Sequence, residues 1–357
     1  MRRAASFTES FRELGLLVFI VVICAIFQVR NRNFLTLENI QDLLTNTAIL
    51  SIMSVGMMMV ILTRGIDLSV GAVVAVAGMV SALTVQYFRG ISPVVSILEA
   101  VAVGTAAGVL NGLLVARFNV LPIIATLGTM NIIRGFTYVI SGGAWVSSYQ
   151  MSRGFKEIAT GEVLGVSNPI IVAVVINVLF FYFINHMRTG RQIYAVGSNP
   201  EAADISGIPR RRIVWLVYTL MGALSGLGGV IWVAKFASAQ SDTATGFELS
   251  VIAATVLGGV SIAGGSGKVS GLILGTTPGH PEQRPAPHQR FPVLAAGHPG
   301  NRDPGGRAHE RAGQEEQPEI CAAKARHLGS CRWKGPFGSR DCGAGARSSC
   351  SGNGSWC

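Results

Sequence analysis

The stretch "PVVSILEAVAVGTAAGVLNGLLVARFNVLPIIATLGTMNIIRGFTYVI", residues 93–140, holds two apolar runs, 93–116 and 121–140, divided only by "RFNV". A hydrocarbon layer about 30 Å thick is crossed by roughly 20 mainly apolar residues in an α-helix. Only helices and closed barrels satisfy every backbone group in that layer. The stretch therefore reads as two membrane-spanning helices joined by a tight turn, and the fold class as all-α.

Similar runs lie on either side, near 14–29, 46–63, 69–87, 169–187, 213–235 and 249–267. With the central pair they predict a polytopic transmembrane helix bundle of about eight spans. The last run is rich in glycine, so a broken or re-entrant segment is an alternative there. The first follows "MRRAASFTESFRELG", which resembles a secretory leader, but no small-residue cleavage site ends its apolar core. An uncleaved first helix is the expectation.

Composition agrees: 49% of the 357 residues are hydrophobic and 13% charged, more apolar than a typical soluble domain. The formal net charge of +10 suggests nucleic acid at first, yet the basic residues of the body sit mainly in the connections between apolar runs. Lys and Arg are enriched in cytoplasmic loops. With the N-terminus inside, Arg2, Arg3, Arg12, Arg64, Arg117, Arg188, Arg191, Arg210, Arg211, Arg212 and Lys268 fall in the cytoplasm, against Arg30, Arg32, Arg89, Arg153, Lys156 and Lys235 outside. The N-terminus is accordingly expected to be cytoplasmic, and 188–212 becomes the largest cytoplasmic segment.

Small residues recur four apart at Gly104, Gly108 and Gly112, at Gly222 and Gly226, and at Gly267, Gly271 and Gly275. Such faces let helix backbones approach closely in lipid. Polar residues inside spans are fewer. Asn111, Thr126, Thr129, Asn131 and Arg134 would either line a wet cavity for a polyhydroxylated solute or simply hold the helices together. Glu99 is a candidate partner for Arg134. In "TRGIDLSVG" (63–71), Arg64 and Asp67 admit a local ion pair beside the next helix N-terminus, or a functional role.

No catalytic site emerges. "GGSGKVSG" (264–271) fails as a phosphate-binding loop, because Ile262 stands where the first glycine belongs and Val269 follows the lysine. No metal-ligand spacing, nucleophile motif or carboxylate cluster is found either, so neither enzyme activity nor a bound metal or cofactor is expected. In "NPEAADISGIP" (199–209), Asn199 caps, Pro200 opens, and Gly207 with Pro209 terminates a short helix at 201–206 within 188–212. It reads as an ordinary connector or as a lever docked on a cytoplasmic partner.

Over residues 30–276 the chain resembles the permeases of ribose-type ABC importers. The likeness lies in "TRGIDLSVGA", "NGLLVARFNVLPIIATLGTMNIIRG", "GRQIYAVGSNPEAADISGI", "SAQSDTATGFELSVIAATVLGG" and "GGSGKVSGLILGT", which stand in that family's order and spacing. The resemblance implies an inner-membrane permease for a monosaccharide. Its partners would be a second permease copy, identical or not, a cytoplasmic ATPase carrying the ATP and magnesium, and an extracytoplasmic sugar-binding protein. No nucleic acid is implied. Glu201, Ala202, Ala203, Asp204, Ser206 and Gly207 match the coupling region that seats in the ATPase. Related readings are an autoinducer sugar or a branched-chain amino acid as solute. An ion-coupled secondary transporter is the alternative of another class, with only Glu99 and Arg134 as midplane ionisable residues.

Family members continue with two further spans, giving about ten. Here the last 81 residues hold 9 of 14 prolines and 5 of 6 cysteines. Read one base later from Thr276, codons compatible with "TTPGHPEQRPAPHQRFP" permit "LLLGILNNALPLINVSP". A frameshifted, disordered tail over 277–357 is the expectation, and an inactive remnant one of its consequences.

Overall fold

The computed structural model of the chain describes residues 22, 24–26, 28–29, 35–88 and 90–276. The span expected at 14–29 lies mostly outside the described residues, and the tail expected to be frameshifted, 277–357, wholly so. Six helices among the described residues are long and apolar enough to cross a membrane. They are α1 (Leu37–Leu62), α2 (Val70–Tyr87), α3 (Pro93–Ala116), α4 (Pro122–Ser141), α6 (Asn168–His186) and α9 (Arg210–Phe236). Shorter elements join them: β1 (Val146–Ser147), α5 (Arg153–Thr160), β2 (Glu162–Val163), β3 (Val166–Ser167), α7 (Arg188–Ser198), α8 (Pro200–Ile205), β4 (Ser238–Ala239), α10 (Phe247–Leu257) and α11 (Val269–Thr276).

Local chemistry sets the helix ends. Proline occupies the first turn of α3, α4 and α6, where a missing N–H costs nothing. Gly142 closes α4 at φ 61°, a left-handed conformation that glycine adopts freely. α1 begins well before residue 46, because the Thr36 hydroxyl accepts from Asn39 N at 3.4 Å and carries the helix through polar residues that hydropathy alone rejects.

The expected span at 249–267 is not one helix. α10 ends at Leu257, and the chain turns through Gly259, Gly264 and Gly265, all at positive φ, before α11 begins at Val269. The broken form foreseen for this glycine-rich run is the one that occurs. α11 folds against the end of α10: a Cβ at Gly275 would come 2.6 Å from both Gly258 Cα and Ala254 O.

α1, α2 and α9 form the centre. Ile52, Met53, Met57, Met58, Met59, Val74, Met79, Met221 and Val230 are among its fully buried side chains. α3, α4 and α6 surround it and leave apolar side chains such as Leu98, Ile124, Phe136, Val174 and Val178 exposed. In a polytopic chain such surface faces lipid or another membrane protein.

α9 carries 27 residues, about 40 Å at 1.5 Å per residue, and packs along α3 through glycine. A Cβ on Gly104 would lie 2.6 Å from Gly226 N, and one on Gly108 would lie 3.0 Å from Gly222 Cα. Two of the three small-residue faces of the sequence are thus each other's partners. Two antiparallel β pairs, Val146 with Ala239 and Glu162 with Ser167, tie the connections between helices.

Candidate functional site

The short helix foreseen in 188–212 is α8. Its Asn199 side-chain oxygen accepts from Ala202 N at 3.0 Å, and Gly207 at φ 74° ends it. Glu201, Ala202, Asp204, Ser206 and Gly207 are exposed, and Ile205 is 88% exposed. Ala203 alone points inward, 3% exposed and part of the hydrophobic core. A helix of one and a half turns so placed is a projection with a single apolar anchor.

What holds that projection was not legible in the sequence. The turn after α1 places Arg64 at φ 64°, and its guanidinium donates from Nε to Gly197 O at 2.7 Å and from Nη2 to Ser198 O at 2.9 Å. These carbonyls close α7, immediately before α8, so a cation meets the negative end of a helix. The local Arg64–Asp67 pair admitted above does not form.

The turn between α10 and α11 joins the same junction. Gly265 N donates to Leu62 O at 3.0 Å, and the Tyr194 hydroxyl donates to Gly267 O at 2.8 Å. Burial raises the Tyr194 phenol above its ordinary range and keeps that donor protonated. Gly197 has no room for a side chain against Leu62 O, and a Cβ on Gly265 would come 2.6 Å from Ser198 Cα. The single glycine of "AVGSN" and the closely spaced glycines of "AGGSG" were the available signal of this contact.

Asp67, 2% exposed, turns into the bundle. Its Oδ1 accepts from Ser69 N at 2.9 Å and from Ser69 Oγ at 2.6 Å. Burial raises its pKa and the two bonds oppose the rise. Ser69 Oγ in turn accepts from Asn111 Nδ2 at 2.7 Å, and Asn111 Oδ1 accepts from Thr129 Oγ1 at 2.6 Å. Leu68 N donates to Thr126 Oγ1 at 3.2 Å. Three of the five pathway candidates, Asn111, Thr126 and Thr129, thus meet in one buried network that fastens the 63–69 turn to α3 and α4.

The other two lie elsewhere. Asn131 is exposed on the opposite face of α4, its amide donating to Leu127 O at 2.9 Å. Arg134 holds the loop between β4 and α10, donating to Ser241 O at 3.0 Å and to Thr243 O at 2.6 Å. Glu99 is not its partner, since the Glu99 carboxylate accepts from Thr84 Oγ1 at 2.8 Å. Gly71 lets this loop close on α2: a Cβ there would come 2.5 Å from Ala244 O and from Glu248 Oε2.

The sequence profile of the family described as branched-chain amino acid transport system / permease component matches residues 39–277. The ribose import permease protein RbsC of Escherichia coli (strain K12) is 40% identical over 266 residues, covering 72% of this chain and 81% of that protein. Its namesake in Bacillus subtilis (strain 168) is 37% identical over 263 residues, 73% of this chain and 80% of that protein. The D-allose transport system permease protein AlsC of Escherichia coli (strain K12) is 34% identical over 282 residues, 77% of this chain and 85% of that protein. No solved structure matches.

Proposed function

The chain belongs to the branched-chain amino acid transport system / permease component family, and from that premise we propose that it is the membrane permease of an ATP-binding cassette importer for ribose or a similar monosaccharide. The observation that carries the reading is 40% identity to a permease named for ribose and 34% to one named for allose. It works as a multi-pass protein of the inner membrane with its N-terminus in the cytoplasm. Its partners are an ATPase, a second permease copy, identical or not, and an extracytoplasmic sugar-binding protein. The chain has no catalytic role, and ATP and magnesium belong to the ATPase.

α8 is the segment offered to the ATPase. Glu201, Ala202, Asp204, Ser206 and Gly207 form its docking surface, and Ala203 seats it on the body. Movement of the ATPase tilts α6 and α9, which flank the segment, and alternates access to the path. Among the pathway candidates, Asn111, Thr126 and Thr129 act by fixing the 63–69 turn, and Arg134 by holding the 241–243 loop. Asn131 presents an amide on an otherwise apolar open face, which suits a wet path between two permease copies better than lipid.

The test is uptake of labelled ribose by the chain assembled with its ATPase and binding protein. Uptake should survive proton and sodium uncouplers and stop on ATP depletion. The reverse pattern would identify an ion-coupled secondary transporter. Asp204→Arg should leave ATP hydrolysis running while uptake collapses, and intact coupling would overturn the role given to α8. Competition by unlabelled allose, arabinose and galactose then ranks the solutes for which related permeases are named.

A further inference from the structure

Beside α8 lies a cavity of about 650 Å³, and of the residues named below the transport reading uses only Asp204. Its lining includes Arg64, Asp204, Arg210, Arg211, Arg212 and Tyr218. The volume falls within the range of small-molecule sites, about 300–1,000 Å³. Its rim is strongly basic: Arg210, Arg211 and Arg212 are exposed, and none is in an ion pair among the described residues. Arg64 adds a fourth guanidinium, whose Nε and Nη2 are committed to Gly197 and Ser198.

The placement of these charges works against local stability. They open the 27-residue α9, whose first turn carries no acidic residue and whose N-cap, Pro209, supplies no side-chain acceptor. Cations at the positive end of a helix are disfavoured, whereas an anion there is stabilised by both the dipole and the guanidinium groups. Topology explains arginines at a span boundary. It does not explain the floor of the cavity.

That floor holds Tyr218, fully buried, with a hydroxyl that has no hydrogen-bond partner among the described residues. The turn after α1 closes over it: a Cβ on Gly65 would come 2.6 Å from the Tyr218 oxygen. An unsatisfied buried hydroxyl costs about 1–3 kcal/mol and calls for an explanation. Arg211, Val214 and Tyr218 share one face of α9, spaced three and four residues apart, and all line the cavity. Seven residues separate the first from the last, about 10 Å along the axis. A ligand bridging them carries an anion at one end and hydroxyl groups at the other.

We propose that this cavity binds a phosphate ester of a polyol, with the phosphate among Arg210, Arg211 and Arg212 and a hydroxyl of the ester hydrogen-bonded to Tyr218. Two sources share that chemistry, a phosphatidylglycerol headgroup and a soluble polyol phosphate. The span that begins at Arg210 puts the rim where headgroups lie. The assignment is independent of the transported solute.

The test uses the purified full chain. Thermal stability is measured with glycerol 3-phosphate, with inorganic phosphate, and in nanodiscs of phosphatidylglycerol or phosphatidylcholine. Stabilisation by glycerol 3-phosphate identifies the soluble source; a shift confined to phosphatidylglycerol identifies the lipid. In either case Arg210→Gln/Arg211→Gln/Arg212→Gln should weaken binding at least tenfold, while Arg188→Gln, outside the cavity, leaves it unchanged. Arg211→Gln alone substitutes if the triple variant does not fold. Tyr218→Phe should weaken the ester several-fold and leave inorganic phosphate unaffected. No selective stabilisation by either source, equal loss in Arg188→Gln, or an unaltered Tyr218→Phe would each overturn the proposal.

Discussion

Arg64 and Gly197 stand 133 residues apart in the chain and 2.7 Å apart in space, joined from guanidinium Nε to carbonyl oxygen. With the neighbouring bond to Ser198 O at 2.9 Å, this contact pins the end of α7, and so the root of α8, to the turn that leaves α1. The same turn continues into the buried Asp67–Ser69–Asn111–Thr129 network. One seven-residue connection therefore touches both the exposed projection and the interior.

Replacing Arg64 by Ala removes two hydrogen bonds from a charged donor, a loss of about 1–3 kcal/mol in local stability. Amide hydrogen exchange over residues 194–199 should accelerate accordingly, with α3 unaffected. Arg64→Lys should recover part of the protection, since an ammonium reaches a carbonyl but not with the planar fork of a guanidinium. Unchanged exchange in Arg64→Ala would show that the glycine contacts alone hold the junction.

Two glycines of equal helical status should respond oppositely to alanine. At Gly104 a Cβ would meet Gly226 N at 2.6 Å, backbone that cannot yield without moving α9, and a loss of about 1–3 kcal/mol is expected. At Gly128 nothing lies within 4 Å of the added carbon, and the better helix propensity of alanine should stabilise by about 0.5–1 kcal/mol. Thermal unfolding of the two variants in one detergent compares them.

Asn111→Leu leaves Thr129 Oγ1 without its side-chain acceptor and removes the donor to Ser69 Oγ, in a site where Asn111 is 1% exposed. A loss of about 1–3 kcal/mol follows from the removal of two buried hydrogen bonds, while Thr129 Oγ1 keeps Thr126 O and Ser69 Oγ keeps Asp67. Asn131→Leu, on the open face, should change unfolding by less than about 0.5 kcal/mol. If the two variants unfold alike, the network is not what fastens the turn.

Resequencing of the gene across codons 270–320 should reveal one base gained or lost near codon 276. The corrected frame then carries two further apolar runs in place of the proline- and cysteine-rich residues 277–357. An unaltered reading frame would make that tail part of the protein.

Length and hydropathy sufficed to locate α2, α3, α4 and α6 to within a residue or two, because a bilayer demands a long uninterrupted apolar helix, and proline marks where α3, α4 and α6 begin. The cap and stop residues of α8 were equally plain, since Asn199 and Gly207 act on backbone within a few residues. Partner choice was not legible. Arg64 ignores Asp67 three residues away for carbonyls of α7, Arg134 takes a loop beyond residue 240 rather than Glu99, and Gly104 faces Gly222 and Gly226. The expected span at 249–267 breaks because its glycines serve contacts with Leu62 and Ser198 that exist only in the folded chain. Helix formation in lipid is a local matter of satisfying one's own backbone, while polar side chains and bare glycines are satisfied by whatever the packing brings opposite them.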